Sequence, residues 1–335
     1  MVRKTKQPHG RVERFFIESA ALAGNPLGDD PRRAVDVYLP AGQDGAGLPL
    51  LVDIVGFTGS GLAHTNWVGF RENVPERLDR LIAADAMPGV AVAFPDCFTR
   101  LGGNQYINSA GVGRWADFLL SEMLPEVERR YGCGGQGKRG VFGKSSGGYG
   151  AITHALDHAD IWSAAACMSG DMAFELCYLP DMPQTLRALA RCGLSIEQWF
   201  HAFEAKLKPD NADLHVINVL AMAAFYDPDP EAFLHIRLPV DMSTCEIIEE
   251  RWANWLAHDP LTKLPHRIDA LKSLKGLYID CGVDDQYNLV YGARRFTRAL
   301  QAHGVAHVYE EYPDDHTGVD YRLDRALPFL AKALT

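Results

Sequence analysis

The chain has 335 residues, 47% of them hydrophobic and 23% charged, with 33 Lys and Arg against 43 Asp and Glu. That is enough apolar side chain for one large α/β domain or two small ones. The net charge of −10 argues against a nucleic acid or an anionic membrane as partner, because neither polyanion is drawn to an acidic surface.

Two strands are predicted first, Val12 to Ile17 and Val35 to Leu39, the second alternating with Val35, Val37 and Leu39 on one face and Asp36 and Tyr38 on the other. Short apolar runs follow at Leu48 to Val55, Val90 to Phe94, Arg139 to Phe142, Ser163 to Met168 and Leu277 to Asp280. Buried parallel strands read this way, since helices cover both faces. Helices are expected between them at Pro75 to Ala84, Trp115 to Tyr131, Tyr149 to Leu156 and Leu289 to His303, where Leu289, Ala293, Phe296 and Leu300 recur at helical spacing. A strand over Ala306 to Tyr312 and a helix over Asp320 to Ala333 close the chain. The alternation predicts an α/β fold with a mostly parallel central sheet flanked by helices.

One segment breaks the rhythm. Residues 171–265 hold no convincing strand but many aromatics, among them Trp199, Phe200, Phe203, Phe225, Phe233, Trp252 and Trp255. The expectation is a mostly helical cap inserted into a core of residues 1–170 and 266–335, lying over the carboxyl edge of the sheet where ligands bind. The plainer reading is a peripheral helical unit whose aromatics are its own core.

Seven scattered cysteines without C-x-x-C spacing point to reduced thiols and a cytoplasmic setting. No apolar stretch is long enough to span a bilayer. The basic start, Met1 to Gly10, lacks the apolar segment of a secretory leader. No zinc-type spacing is present, so neither metal nor cofactor is expected. His154 and His158 stand at i, i+4 on one helix, but behind the segment that carries the chemistry.

That segment is Gly143-Lys144-Ser145-Ser146-Gly147, a G-x-S-x-G nucleophile elbow between a predicted strand and a predicted helix. A serine on so sharp a turn needs flanking residues without side chains, and the helix behind it aims its first N–H groups at a developing oxyanion. Gly143-Lys144-Ser145 is also the end of a phosphate-binding loop, but the position that needs its first glycine is Lys138. A serine hydroxyl needs a base, and the base an orienting acid. Chain order serine, acid, histidine puts the base at His316, after the last strand, and the acid at Asp284 or Asp285, after the strand before it. The G-x-x-D pattern favours Asp285. Oxyanion donors are expected at the backbone N–H groups of Ser146 and Phe57, the latter in Val55-Gly56-Phe57-Thr58-Gly59.

With these residues in place, the chain resembles the esterase D family of α/β-hydrolases, which includes S-formylglutathione hydrolases, enterochelin-esterase-like enzymes and mycolyltransferases. The likeness covers about residues 33–170 and 270–330. It rests on Pro95-Asp96, Gly102-Gly103-Asn104-Gln105-Tyr106, Asp117-Phe118, Leu124-Pro125, the elbow through Ala151, Ser169-Gly170, Asp280-Cys281-Gly282-Val283-Asp284-Asp285 and His316. The resemblance implies an α/β-hydrolase fold and a triad of Ser145, Asp285 and His316. It also implies hydrolysis of an acyl ester or thioester through an acyl-enzyme, without a metal. The chain departs from the family at Val55-Gly56, where many members have His-Gly, and at Lys144, where histidine is frequent. The expected partner is a small-molecule ester, with Tyr106, Lys144, Trp252 and Trp255 as candidate pocket residues. A homo-oligomer is compatible with the sequence. An acyltransferase on the same acyl-enzyme and a non-catalytic binding protein of the same fold are the alternatives.

Overall fold

The computed structural model describes residues 8–335; the first seven residues of the basic N-terminal start lie outside it. The strands are β1 (Arg11–Glu18), β2 (Arg32–Leu39), β3 (Leu50–Ile54), β4 (Ala91–Pro95), β5 (Asn108–Ser109), β6 (Gly113–Arg114), β7 (Arg139–Lys144), β8 (Ala164–Met168), β9 (Gly276–Gly282) and β10 (Val308–Tyr312). Among the described residues, eight of them form one sheet in the order β1-β2-β4-β3-β7-β8-β9-β10, while β5 and β6 pair separately. β1 and β2 pair antiparallel, as do β2 and β4; from β4 to β10 every pairing is parallel.

The strand order reverses between β3 and β7, since β4 lies to one side of β3 and the later strands to the other. In open parallel sheets the crevice beyond the carboxyl ends at that reversal is where ligands bind. Register brings the strand ends level there: Ile54 pairs with Gly143, Lys144 with Met168, and Met168 with Asp280. The loops that follow β3, β7, β8 and β9 therefore emerge side by side.

Alternation along the strands splits the apolar side chains into two clusters. Leu50, Val52 and Ile54 enter one, Leu51 the other. The smaller cluster packs the sheet against the helices Val74–Ala83 and Leu323–Leu334 through Leu78, Leu81, Leu327 and Leu330. The larger runs from the sheet through Tyr149 and Ile152 of the helix Ser146–Asp157 into Val216, Leu220, Phe225 and Trp255. Asp36, on the polar side of the β2 alternation, is buried and held by Arg14 at 2.6 and 2.9 Å.

Residues 171–265 are built from the helices Phe174–Cys177, Met182–Ala190, Ile196–Glu204, Asn211–Tyr226, Glu249–Leu256 and Pro260–Lys263, with a single bridge between Val240 and Ile247. Asp259 ties the two ends of this segment. Its carboxylate accepts from the N–H of Leu261, where it caps the last helix at 2.9 Å, and from the N–H of Phe174, where the first begins, at 2.8 Å. Two local features lie outside the sequence reading: the short helix Gly61–Thr65 and a widened π-type stretch, Phe118–Met123, inside the long helical run. All seven cysteines are free thiols. Among the described residues, no helix is long and apolar enough to cross a membrane.

Candidate active site

Ser145 stands between β7 and the helix Ser146–Asp157 with φ 60° and ψ −126°, a positive-φ backbone that a residue with a Cβ adopts only at a cost of about 1–3 kcal/mol. The surroundings enforce it. Its N–H donates to the Met168 carbonyl at 3.0 Å, and its own carbonyl accepts from Tyr149 N–H at 2.8 Å. The elbow glycines are sterically required: a Cβ on Gly147 would stand 1.9 Å from the Ile54 carbonyl oxygen, and one on Gly143 2.0 Å from the same atom. Gly147→Ala is therefore expected to lower stability by about 3 kcal/mol or more, since the clash is with backbone that cannot rotate away. Thermal unfolding against wild type measures this.

Ser145 opens onto a cavity of about 610 Å³ that His316 also lines. His316 sits in the loop after β10, with its Nδ1 2.7 Å from Asp285 Oδ2. Asp285 is fixed in turn: its Oδ1 accepts from Tyr287 N–H at 2.9 Å, and its side chain is fully buried. The neighbouring Asp284 is exposed, and only its backbone N–H is engaged, by the Asp314 carbonyl at 3.1 Å. Of the two adjacent carboxylates, it is Asp285 that meets the imidazole. Three further contacts hold the ring and its loop. His316 N–H donates to Gln286 Oε1 at 3.0 Å, Lys144 Nζ donates to the His316 carbonyl at 3.2 Å, and the Tyr287 ring meets the imidazole edge to face at 4.9 Å. Asp314 and Asp315 shape the turn, accepting from Asp315 N–H and Thr317 N–H.

The loop after β3 abuts the nucleophile, for a Cβ on Gly56 would lie 3.4 Å from Ser145 Cβ. Phe57 follows on the cavity wall. Ser146 is the first residue of its helix, so its N–H is one of the four without an intrahelical acceptor. The loop is clamped at both ends by a pair that the sequence reading did not single out: His64 Nδ1 lies 2.6 Å from the buried Asp53 Oδ2.

The other candidate pocket residues separate. Lys144 lines the cavity. Tyr106, Trp252 and Trp255 are buried in the large core cluster and are not part of the cavity wall. The Tyr106 hydroxyl is spent on the Val55 carbonyl at 2.6 Å, where it supports the loop from behind. Trp252 and Trp255 pack on each other, and Trp255 also on Tyr178 and Tyr226. Most aromatics of 171–265 thus fill a core; to the cavity the segment presents Tyr178 together with Asp171, Asp181, Asn211, Leu214, His215 and Asn218. Trp255→Ala is expected to cost about 3–5 kcal/mol of stability, measured by denaturant unfolding, because it empties core volume. His154 is likewise structural. Trp162 Nε1–H donates to its Nδ1 at 3.1 Å and its Nε2 faces the Tyr106 carbonyl at 2.8 Å, while burial lowers its pKa to about 4.

Behind Ser146 lies a polar network also absent from the sequence reading. Gln105 Nε2 donates to Ser146 Oγ at 2.8 Å, the Tyr226 hydroxyl donates to Gln105 Oε1 at 3.2 Å, and Tyr226 lies 3.3 Å from the Tyr178 hydroxyl. Tyr178 donates to Asp171 at 2.8 Å, at the cavity wall. Gln105 lies in the Gly102-to-Tyr106 motif quoted above; nothing in the sequence links Asp171 to it.

The family model "Putative esterase" matches residues 30–326. The chain belongs to that family. None of the curated proteins matches it. Among solved structures, a ferulic acid esterase superposes with a TM-score of 0.65 at 18% identity, covering 97% of this chain and 99% of its own. An S-formylglutathione hydrolase from Agrobacterium tumefaciens gives 0.59 at 16%, covering 97% and 96%. FphF, a fluorophosphonate-binding serine hydrolase of Staphylococcus aureus, gives 0.58 at 17%, covering 96% and 99%. These likenesses establish the α/β-hydrolase fold for this member of the esterase family.

Proposed function

We propose that this esterase is a serine carboxylesterase that works through Ser145, His316 and Asp285. The observation that carries the reading is the strained Ser145 facing the same cavity as an imidazole held by a buried carboxylate. Ser145 Oγ attacks the acyl carbonyl as His316 Nε2 takes its proton, and Asp285 keeps the imidazole in the tautomer that leaves Nε2 free to accept it. The N–H groups of Phe57 and Ser146 receive the oxyanion. The position of Ser146 at a helix N-terminus adds the favourable end of the helix dipole. His316 then protonates the leaving alcohol, and water, deprotonated by the same imidazole, releases the acid and restores Ser145. No step calls on a metal or cofactor.

The test is intact mass after exposure to a fluorophosphonate. A single adduct on wild type and none on Ser145→Ala is the expected result. A folded wild type that takes no adduct overturns the reading in favour of a binding protein of this fold.

A further inference from the structure

Buried carboxylates in this protein are mostly met by cations. Asp36 has Arg14 at 2.6 Å, Asp227 has Arg237 at 2.5 Å, and Asp280 has Arg322 at 2.9 Å. Among the described residues, Asp259 and Asp171 have no cationic partner, and whereas Asp259 is met by backbone N–H groups, Asp171 faces the cavity. It follows Ser169-Gly170 at the end of β8, is 7% exposed, and lines the cavity beside Ser145. The groups that hold it are hydroxyls: Tyr178 at 2.8 Å and, behind it, Ser146. Burial pushes its pKa up to about 6, against the pull of the Tyr178 hydroxyl. A desolvated carboxylate without a counter-cation is costly, and in a cavity open to substrate the missing charge can come from the ligand.

We infer that the cavity beside Ser145 selects esters whose leaving group is cationic, with Asp171 as the residue that sets this preference. The inference rests on the esterase reading. The leaving alcohol is the part of the substrate that faces the imidazole, and Asp171 lines the same cavity as His316. The rings of Tyr178 and Tyr287 line the same space, and aromatic faces attract a positive group. Lys144 opposes the preference, but its ammonium is turned onto the His316 carbonyl. The remaining charged groups of the wall, Asp181 and His215, neutralise each other at 3.1 Å when the imidazole is protonated and otherwise add negative charge.

Three acetate esters test this at fixed low ionic strength: the choline ester, its uncharged isostere 3,3-dimethylbutyl acetate, and 3-acetoxypropanesulfonate. Wild type is expected to favour the choline ester over the isostere by about tenfold or more in kcat/KM, with the sulfonate slowest. Asp171→Asn is expected to bring the first two within about threefold of each other. Tetramethylammonium is expected to slow fluorophosphonate labelling of wild-type Ser145, a readout that needs neither ester turnover nor a folded variant. Equal kcat/KM for choline ester and isostere, or labelling indifferent to tetramethylammonium, overturns the inference and leaves the esterase reading standing. A ratio that survives Asp171→Asn removes Asp171 from the role. If Ser145 takes no fluorophosphonate at all, it is the esterase reading that fails, and this inference with it.

Discussion

Ser145→Ala is expected to reduce ester turnover by about 10⁶-fold while leaving thermal unfolding close to wild type. The size follows from what the hydroxyl does. Without Oγ no acyl-enzyme can form, and only the oxyanion donors and the bound geometry remain to help water attack. Stability should hold because the strain at position 145 belongs to the backbone, which Ala inherits with the same φ of 60° and the same N–H bond to Met168. His316→Ala should lose activity on the same scale, since nucleophile and base act as a unit. Turnover in folded Ser145→Ala within tenfold of wild type would place the chemistry elsewhere.

The second large effect separates two adjacent carboxylates. Asp285→Asn should cost about 10⁴-fold in kcat, because an amide in that place can donate to Nδ1 and so favours the tautomer that cannot accept the Ser145 proton. The Asp285 carboxylate also accepts from Tyr287 N–H, so the substitution keeps that contact only if the amide oxygen faces the backbone, which turns its NH₂ toward the imidazole. Asp284→Asn should change kcat by less than about threefold, because its side chain is exposed and solvent screens its charge. Side-by-side kcat values for the two variants decide the matter, and the reverse order would move the acid by one residue.

The parallel strands were legible because burial on both faces makes them near-continuous apolar runs, as in Leu50–Ile54 and Ala164–Met168. Ser145 was legible because the turn is so crowded that sequence has little choice at Gly143 and Gly147. The choice between Asp284 and Asp285 rested on a pattern alone, since what separates them is which side chain turns under the loop toward His316. The aromatics misled for a physical reason. Trp252 and Trp255 supply the same apolar area whether they fill a core or line a pocket, and periodicity does not say which. Asp171, Gln105 and the Asp53–His64 pair were invisible as parts of a site because their meaning lies in contacts between distant strands and loops. The π-type widening at Phe118–Met123 has no signature in the helical spacing that announced the run around it.

The shared core has a kinetic consequence. Val216 and Leu220, on the helix whose first turns face the cavity, belong to the same apolar cluster as the strands beneath, and Asp259 fastens the segment at both ends. A wall anchored in this way is expected to stay in place rather than swing like a hinged flap, leaving the mouth of the cavity standing open. Amide hydrogens in Asn211–Tyr226 should exchange as slowly as those in Arg139–Lys144, both released only by global opening.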